Sequence, residues 1–469
     1  MASLEEQLLP KSFDTIFMGA AGSSGGSYWI SVIGETQAAS GGGDGATLFS
    51  SIAVDSEANA YSVGYSHAAT TPSGLGNAAC IIKHDTDGAV SFNKDLYASA
   101  SGTDRGSFTG VDVNSSDEPY VFGEGFFPNN NLSVVLKYNT SGVLQFMKGL
   151  SSVKGEFKGG GVSPAGNPYG VGYLTAAYGS QPDSLYHRFN SSGAIQQGCA
   201  LNNDSGVAYD IGFDSSNNAY IYGRDRISGS RNDLGIFKVN TSDAIQWGKV
   251  FSTNNGSGNV SYGNHCIAVE DSGSVFISGY ENNAAKFHLL KLAQSNGSTT
   301  WNKTVTISGG TVNLNFALAV DSDGNVYVFG DTTTASSGTG AVRAATIIKF
   351  NSSGAVQWAN KLTTTNGTEG TRAKDITIDS NGDIRIVMLS KIVNSSYGYS
   401  SQVAKLPSDG SLTAVYGDWT YVSIASSLTV GNGDLASNAV STRALNTPSY
   451  GDVGNVAGDL SLSLELVEL

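Results

Sequence analysis

Apolar and polar positions alternate along this chain in a pattern that recurs seven times. The clearest copy is LAVDSDGNVYVFG, ending at Gly330; others end at Gly64, Gly123, Gly172, Gly223 and Gly279, and a degenerate one at Met388. Each copy opens on a short apolar run with period two, which predicts a strand with one packed face. These runs are Ile52–Asp55, Val111–Val113, Ile211–Asp214, Ile267–Val269, Leu318–Asp321 and Ile376–Asp379. An Asp-Ser-x-Gly-Asn turn or a variant follows. Asp and Asn bond their own nearby backbone and Gly tolerates positive φ, so this is hairpin chemistry. The second strand carries Tyr61, Tyr120, Tyr169, Tyr220 and Tyr327 at one place, with Phe276 and Arg385 in the other two clear positions. A third strand ends in Lys or Arg before an Asn-rich turn, as in KYNTSG and KFNSSG. A fourth carries an aromatic residue: Phe92, Phe146, Trp247, Trp301 or Trp358. Gln197 breaks that pattern in the third unit and Ala414 in the seventh.

The copies end 49 to 59 residues apart. That is the period of one four-stranded propeller blade, so the chain is expected to be all-β, a seven-bladed β-propeller of four-stranded blades. YWISVIGET, at 28–36, aligns with QWANKLTTT at 357–365, placing Trp29 on Trp358. This strand precedes the first full unit, and the seventh unit lacks a good fourth strand. The N-terminal strand is therefore expected to close the last blade, which removes open sheet edges. The fourth-strand aromatics are expected to pack between blades, and the Gly ending the second strand to permit close approach near that contact.

Three parts follow from this division. Residues 1–27 are read as a short N-terminal docking segment. Ser3 to Glu6 has a capping-box pattern for a short helix with Leu4, Leu8 and Leu9 apolar, and a Gly/Ser link follows. Residues 28–416 are the propeller. Residues 417–469 are a β-rich C-terminal tail in which Leu460, Leu462, Leu464 and Leu466 alternate with polar residues. Thr420–Gly431 is a plausible mate for that strand. The pair is too small to stand alone and is expected to pack on the ring or on another chain.

Composition narrows the function. Gly makes up 60 of 469 residues, and only 14% are charged, so the surface must be largely Ser, Thr, Asn and Gly. Hydrophobic residues at 40% argue against disorder. The net charge of −14, with no Lys/Arg cluster, opposes binding to nucleic acid or anionic membranes. No segment has the roughly 18 to 20 apolar residues of a membrane span. The first residues, with Glu5 and Glu6, do not read as a secretory signal. Cys80, Cys199 and Cys266 are too scattered for a disulfide framework, and Cys80 and Cys266 read as buried thiols.

Little points to chemistry. DSDGN at 321–325 and DSNGD at 379–383 resemble the start of a calcium loop, but the twelfth positions are Thr332 and Ser390, not an acid. They read as turns. The five histidines, His67, His84, His187, His265 and His288, share no metal-binding spacing. No cofactor is expected. Paired acids for glycoside hydrolysis would have to be assembled in the central channel from different blades. Asn-x-Ser/Thr triplets such as Asn190–Ser192 read as turns.

The apolar-Asp strand and the Gly-Asn-x-Tyr-Val strand meeting at a short turn resemble β-propeller repeats of the SBBP and NHL type over about residues 28–416. That likeness implies architecture and carries no catalytic residues. The polar, low-charge skin and the ring flanked by docking-type ends resemble a virion structural protein of a tailed marine or cyanobacterial bacteriophage. That second likeness implies a non-catalytic tail, fibre or capsid-decoration component located on the virion. Its apolar ends would hold other virion proteins or symmetry mates. The loops Tyr65–Ala79, Phe126–Leu132 and Asp331–Ala345 would face a host glycan or protein. The alternatives are an extracellular or cell-surface propeller that binds glycan or protein, and a polysaccharide-acting propeller enzyme.

Overall fold

The structure, a computed structural model, describes residues 11–17, 28–35, 47–68, 76–96, 106–127, 130–149, 155–174, 183–200, 206–225, 233–253, 260–261, 263–281, 285–308, 311–333, 343–364, 370–390, 400–412, 414–416, 419–433, 435–439 and 466–468. These form seven antiparallel sheets. Blade one is Thr47–Val54, Ala60–Ala68, Gly76–His84 and Val90–Leu96. Blade two is Ser107–Val113, Pro119–Phe127, Asn130–Tyr138 and Leu144–Gly149, and blade three is Gly155–Val162, Pro168–Leu174, Asp183–Phe189 and Ile195–Ala200. Blade four is Val207–Phe213, Ala219–Asp225, Asp233–Val239 and Ile245–Thr253; blade five is Ile267–Glu270, Ser274–Glu281, Lys286–Ala293 and Thr299–Ile307. Blade six is Thr311–Val320, Val326–Thr333, Arg343–Phe350 and Val356–Thr364; blade seven begins with Thr371–Ile378, Ile384–Ser390 and Ser400–Leu406. First strands touch their neighbours in chain order, and Thr371–Ile378 touches Thr47–Val54, so the sheets close into a seven-bladed β-propeller with first strands innermost.

Closure runs as the sequence predicts. Trp29–Glu35 pairs antiparallel with Ser400–Leu406, Trp29 opposite Lys405, and becomes the fourth strand of blade seven. Trp358 stands opposite Lys349 in blade six, the same register. The core is not one mass but a set of seam clusters. One joins Tyr61, Val63 and Ile81 of blade one to Phe108, Val111 and Val121 of blade two. Another joins Trp29, Val387 and Val403 of blade seven to Phe49, Ile52 and Ile82 of blade one.

The glycine that ends the repeat has a different role from the expected one. A Cβ on Gly64 would stand 2.1 Å from the Leu48 carbonyl oxygen, and one on Gly172 would stand 1.8 Å from that of Glu156. Both oxygens belong to the first strand of the same blade, beside the bulges at Phe49/Ser51 and Phe157/Gly159. The approach is within a blade, at a bulge, and not between blades. The segment Phe126–Leu132 is not a long loop either: Phe127 pairs with Asn130 at the tip of an extended hairpin. Strand pairing also extends into Tyr65–Ala79, through Ala68 opposite Gly76, and into Asp331–Ala345, through Thr333 opposite Arg343.

Both ends of the chain add strands to the outside of the ring. Lys11–Phe17, inside the segment read as a docking piece, pairs with Trp29–Glu35 as a fifth strand of blade seven. The predicted helix at its start and the Gly/Ser link lie outside the described residues. In the tail, the strands within Thr420–Gly431 pair with the ring, and Leu460, Leu462 and Leu464 of the expected mate lie outside the described residues. Trp419–Ser423 pairs with the outer strand of blade six, Leu428–Asn432 with that of blade five, and Leu435–Ala439 with that of blade four. Leu466–Glu468 pairs with the outer strand of blade one. Ala414–Tyr416, where the seventh unit's fourth strand was weak, pairs with Trp419–Ser423 instead. Among the described residues no helix is long and apolar enough to cross a membrane.

Candidate functional site

The recurring letters of the repeat build one contact set in blades one, four and six, with variants in the others. In blade four the Asp214 carboxylate accepts backbone bonds from Ser216 at 3.1 Å and Asn218 at 2.9 Å, closing the turn. It also accepts Asn218 Nδ2 at 2.8 Å and the Tyr220 hydroxyl at 3.0 Å, and Lys238 Nζ lies 3.4 Å away. Burial alone would raise the Asp214 pKa, but these donors outweigh it and hold it below the ordinary value. Lys238 in turn sits 5.0 Å over the Tyr220 ring. Blade one repeats the set with Asp55, Asn59, Tyr61 and Lys83, and blade six with Asp321, Asn325, Tyr327 and Lys349.

This occupation bears on the calcium-like motifs. Asp321 gives its oxygens to Asn325, Tyr327 and Lys349, and Asp379 gives one to Arg385 Nε at 2.9 Å. Thermal melting with and without a chelator is therefore expected to agree within about 2 °C, since a bound structural ion would add stability by mass action. A fall of many degrees on chelation would contradict the assignment of these carboxylates to the turn.

Aromatic side chains of fourth strands meet the turn of the next blade. A Cβ on Gly88 of blade one would lie 2.7 Å from the Trp29 ring of blade seven, and one on Gly297 of blade five would lie 2.7 Å from the Trp247 ring of blade four. These glycines hold φ of +87° and +68°, so two reasons exclude a side chain. Trp29 Nε1 donates to the Thr86 carbonyl at 3.0 Å and Trp247 Nε1 to that of Gln294 at 2.9 Å. At the seam of blades three and four, Gln197 replaces the aromatic residue and Asp243 replaces the glycine. There Arg188 Nη2 donates to Asp243 Oδ2 at 2.5 Å and the Tyr186 hydroxyl to Asp243 Oδ1 at 3.2 Å. An ion pair stands in for ring-on-glycine packing.

Carboxylates that the repeat does not announce line the inner seams. Asp375 Oδ2 of blade seven accepts the Ser51 hydroxyl and the Ile52 amide of blade one, both at 2.9 Å. Asp210 accepts the Ile267 amide of blade five at 3.1 Å, Asp112 the Val162 amide of blade three at 2.7 Å, and Asp331 the Ala373 amide of blade seven. His265, at φ +60°, reaches from blade five to place Nδ1 3.7 Å from Asp375 Oδ2. It also faces Asp210 of blade four, so three blades converge on the axis. Burial pushes Asp210 and Asp331 up to about 7 and Asp112 up to about 6, against the pull of those amides, and it raises Asp375 as well.

The pH consequence has a definite sign. A carboxyl whose pKa rises on folding binds its proton more tightly in the native state. Its contribution favours folding at low pH and is lost as pH climbs from the ordinary 3.8 toward about 7. Asp210→Asn and Asp331→Asn are therefore expected to be tolerated better at pH 8 than at pH 5, relative to the parent protein. Melting temperatures at the two pH values check this; an equal effect at both would contradict it.

A further cluster lies on the seam of blades two and three. Glu124 faces Glu156, and burial followed by the Glu156 charge pushes Glu124 up to about 7. Lys158 Nζ contacts Glu156 and lies 5.4 Å over the Tyr173 ring. Such a pair can share a proton near neutrality.

Cys80 and Cys266 are buried and stand outside any disulfide, and burial pushes Cys266 up to about 12. His84 is buried 3.1 Å from the Ser31 hydroxyl, and His288 lies 3.4 Å from Glu281. Among the described residues no group of three or more His, Cys, Asp or Glu is placed to hold a metal. Of the leucines assigned to partner binding, Leu466 lies in the strand on blade one, opposite Leu96. Leu4, Leu8, Leu9, Leu460, Leu462 and Leu464 lie outside the described residues. The inner Asp and His residues were missed because they are not periodic: the positions equivalent to Asp210 and Asp375 hold Ser51, Gly110, Gly159, Cys266 and Ala317.

No family model matches the chain, and no curated protein matches it. Among solved structures it is similar to the periplasmic gluconolactonase PpgL of Pseudomonas aeruginosa, with 10% identity, 75% of this chain and 95% of that chain covered, and a TM-score of 0.37. A likeness at that level carries no argument about activity.

Proposed function

We propose that this chain is a non-catalytic structural or adhesion component of a phage virion, of tail, fibre or capsid-decoration type, with a propeller of SBBP/NHL-like repeats as its rigid display platform. The observation that carries the non-catalytic part is how the buried carboxylates are used. Asp112, Asp210, Asp331 and Asp375 each hold a backbone amide of the next blade. Groups tied in that way stiffen the seams between blades. The acid pair Glu124 and Glu156 on the seam of blades two and three is the best alternative for an enzyme, and Lys158 is engaged with its Glu156 member.

Attachment to other virion proteins or symmetry mates is assigned to the apolar N-terminal stretch with Leu4, Leu8 and Leu9. A free helix that short does not persist in water and gains by docking. The loops joining second to third strands face a host glycan or protein. Purification from the native source tests the reading. The expected result is the protein at fixed stoichiometry on particles, reduced when Leu4, Leu8 and Leu9 are changed to Asp. Recovery as a free or cell-surface protein would replace it with the extracellular binding reading, and turnover of any polysaccharide in a substrate screen would replace it with the enzyme reading.

A further inference from the structure

The sequence holds no run of basic residues, but the seam of blades six and seven assembles a cationic cluster from two strands. Asp331, directly after Gly330 in the second strand of blade six, is 0% exposed. Its Oδ1 accepts the Ala373 amide of blade seven, and Arg343 Nη1 of blade six lies 3.5 Å from its Oδ2. The charges of Lys374 and Arg372, on either side of Ala373, also act on it. Three cations thus surround one carboxylate, and burial pushes that carboxyl up to about 7.

Lys374 is the residue that the bulge at Ala373/Asp375 leaves out of the ladder, on the innermost strand of its blade. It is half-buried. Among the described residues no hydrogen bond or ion pair engages its ammonium, whereas Lys83, Lys238 and Lys349 each have a carboxylate within 3.6 Å. Burial and the Arg372 charge pull the Lys374 pKa down, against the Asp331 charge. The matching positions at the seam of blades two and three are Glu124, Glu156 and Lys158, and there the lysine is engaged with Glu156. Arg372 in place of that second acid leaves an excess of positive charge in a chain whose net charge is −14.

We infer that the seam around Asp331 is a binding site for a small oxyanion, a carboxylate or sulfate, held between Lys374 and Arg343. A guanidinium presents a planar fork that fits either group, and an ammonium adds a point charge. A half-buried cation gains more from an anion than an exposed one, because the lower dielectric weakens their attraction less. The Arg343 side chain is 41% exposed, so an anion can reach it from solvent. Asp331 is the built-in competitor for both cations. The site does not depend on the virion assignment. The anion is either a free inorganic ion or the charged group of an acidic sugar.

Titration calorimetry of the full chain near neutral pH and at constant ionic strength tests this, with sodium sulfate, glucuronate and glucose as probes. The expected result is binding of sulfate or glucuronate at one site per chain and none of glucose. Tighter binding of glucuronate assigns the acidic sugar, and tighter binding of sulfate the free ion. Lys374→Met is expected to weaken binding at least about 10-fold, the loss of one charge-assisted bond, without lowering the melting temperature. Arg343→Gln, at a more exposed side chain, is expected to weaken it as well. Asp331→Asn is expected to act in the opposite direction and tighten binding, because the competing charge is gone while the amide oxygen can still accept from Ala373. No binding of either anion at about 20 mM, where a Kd of about 1 mM would nearly saturate the site, would overturn the inference. Binding that Lys374→Met and Arg343→Gln both leave unchanged would also overturn it, because the anion would then sit elsewhere.

Discussion

Removal of residues 1–36 is expected to abolish cooperative folding of the ring. The deletion takes away the fourth strand of blade seven and the strand outside it. Trp29, Ile30 and Ile33 are each 0% exposed. Loss of a buried Trp costs about 3–5 kcal/mol and loss of each Ile about 2–5 kcal/mol, which together approach the ~5–15 kcal/mol of a whole domain. The bare edge of Ser400–Leu406 and the exposed Val387 and Val403 would add a tendency to aggregate. Scanning calorimetry of the full and shortened chains gives the answer. A shortened chain that melts like the full one would show that the closing strand contributes nothing.

Arg385→Ala is expected to destabilise the protein by about 3–5 kcal/mol, the cost of leaving a buried charge without its partner. Arg385 stands where the other blades have Tyr or Phe. Its Nε donates to Asp379 at 2.9 Å with both side chains fully buried, and its Nη2 donates to the Ala58 carbonyl of blade one at 2.9 Å. The guanidinium also lies 5.4 Å from the centre of the Trp29 ring. One side chain thus ties the last blade, its closing strand and the first blade together. Denaturant unfolding measures the loss. Asp379→Asn in the Arg385→Ala background is expected to recover part of it, because the two changes are coupled through one buried pair. A loss below about 1 kcal/mol would mean that the seam tolerates an unpaired Asp379.

The parts of this fold that were legible in the sequence are those that repeat. Trp29 could be set on Trp358 because both meet a turn of the next blade with the same ring and the same Nε1 bond, to Thr86 and to Ser408. Asp55, Asp214 and Asp321 announced turns because one carboxylate must hold two backbone amides and an Asn in each. The tail was legible only as alternation. Its strands attach mainly through backbone bonds at an outer edge, so burial selects few of its side chains: Tyr421 is buried, whereas Thr429 to Asn432 are exposed. Backbone pairing alone leaves little trace in residue type. Asp210, His265 and Asp375 escaped for a different reason. Each solves a local problem at one seam, so no copy of the repeat predicts the next.

The pairing of Trp29 with Lys405 also fixes a waiting time. About 370 residues separate the two strands, and at the ~5–20 residues per second of synthesis the second emerges about 20 to 75 s after the first. Throughout that interval blades one to six can form from local hairpins, but Trp29, Ile30 and Ile33 have no sheet to join. The ring is therefore at its most vulnerable at its oldest residues, and any factor that shields nascent chains has most to gain by holding that strand until the last blade arrives.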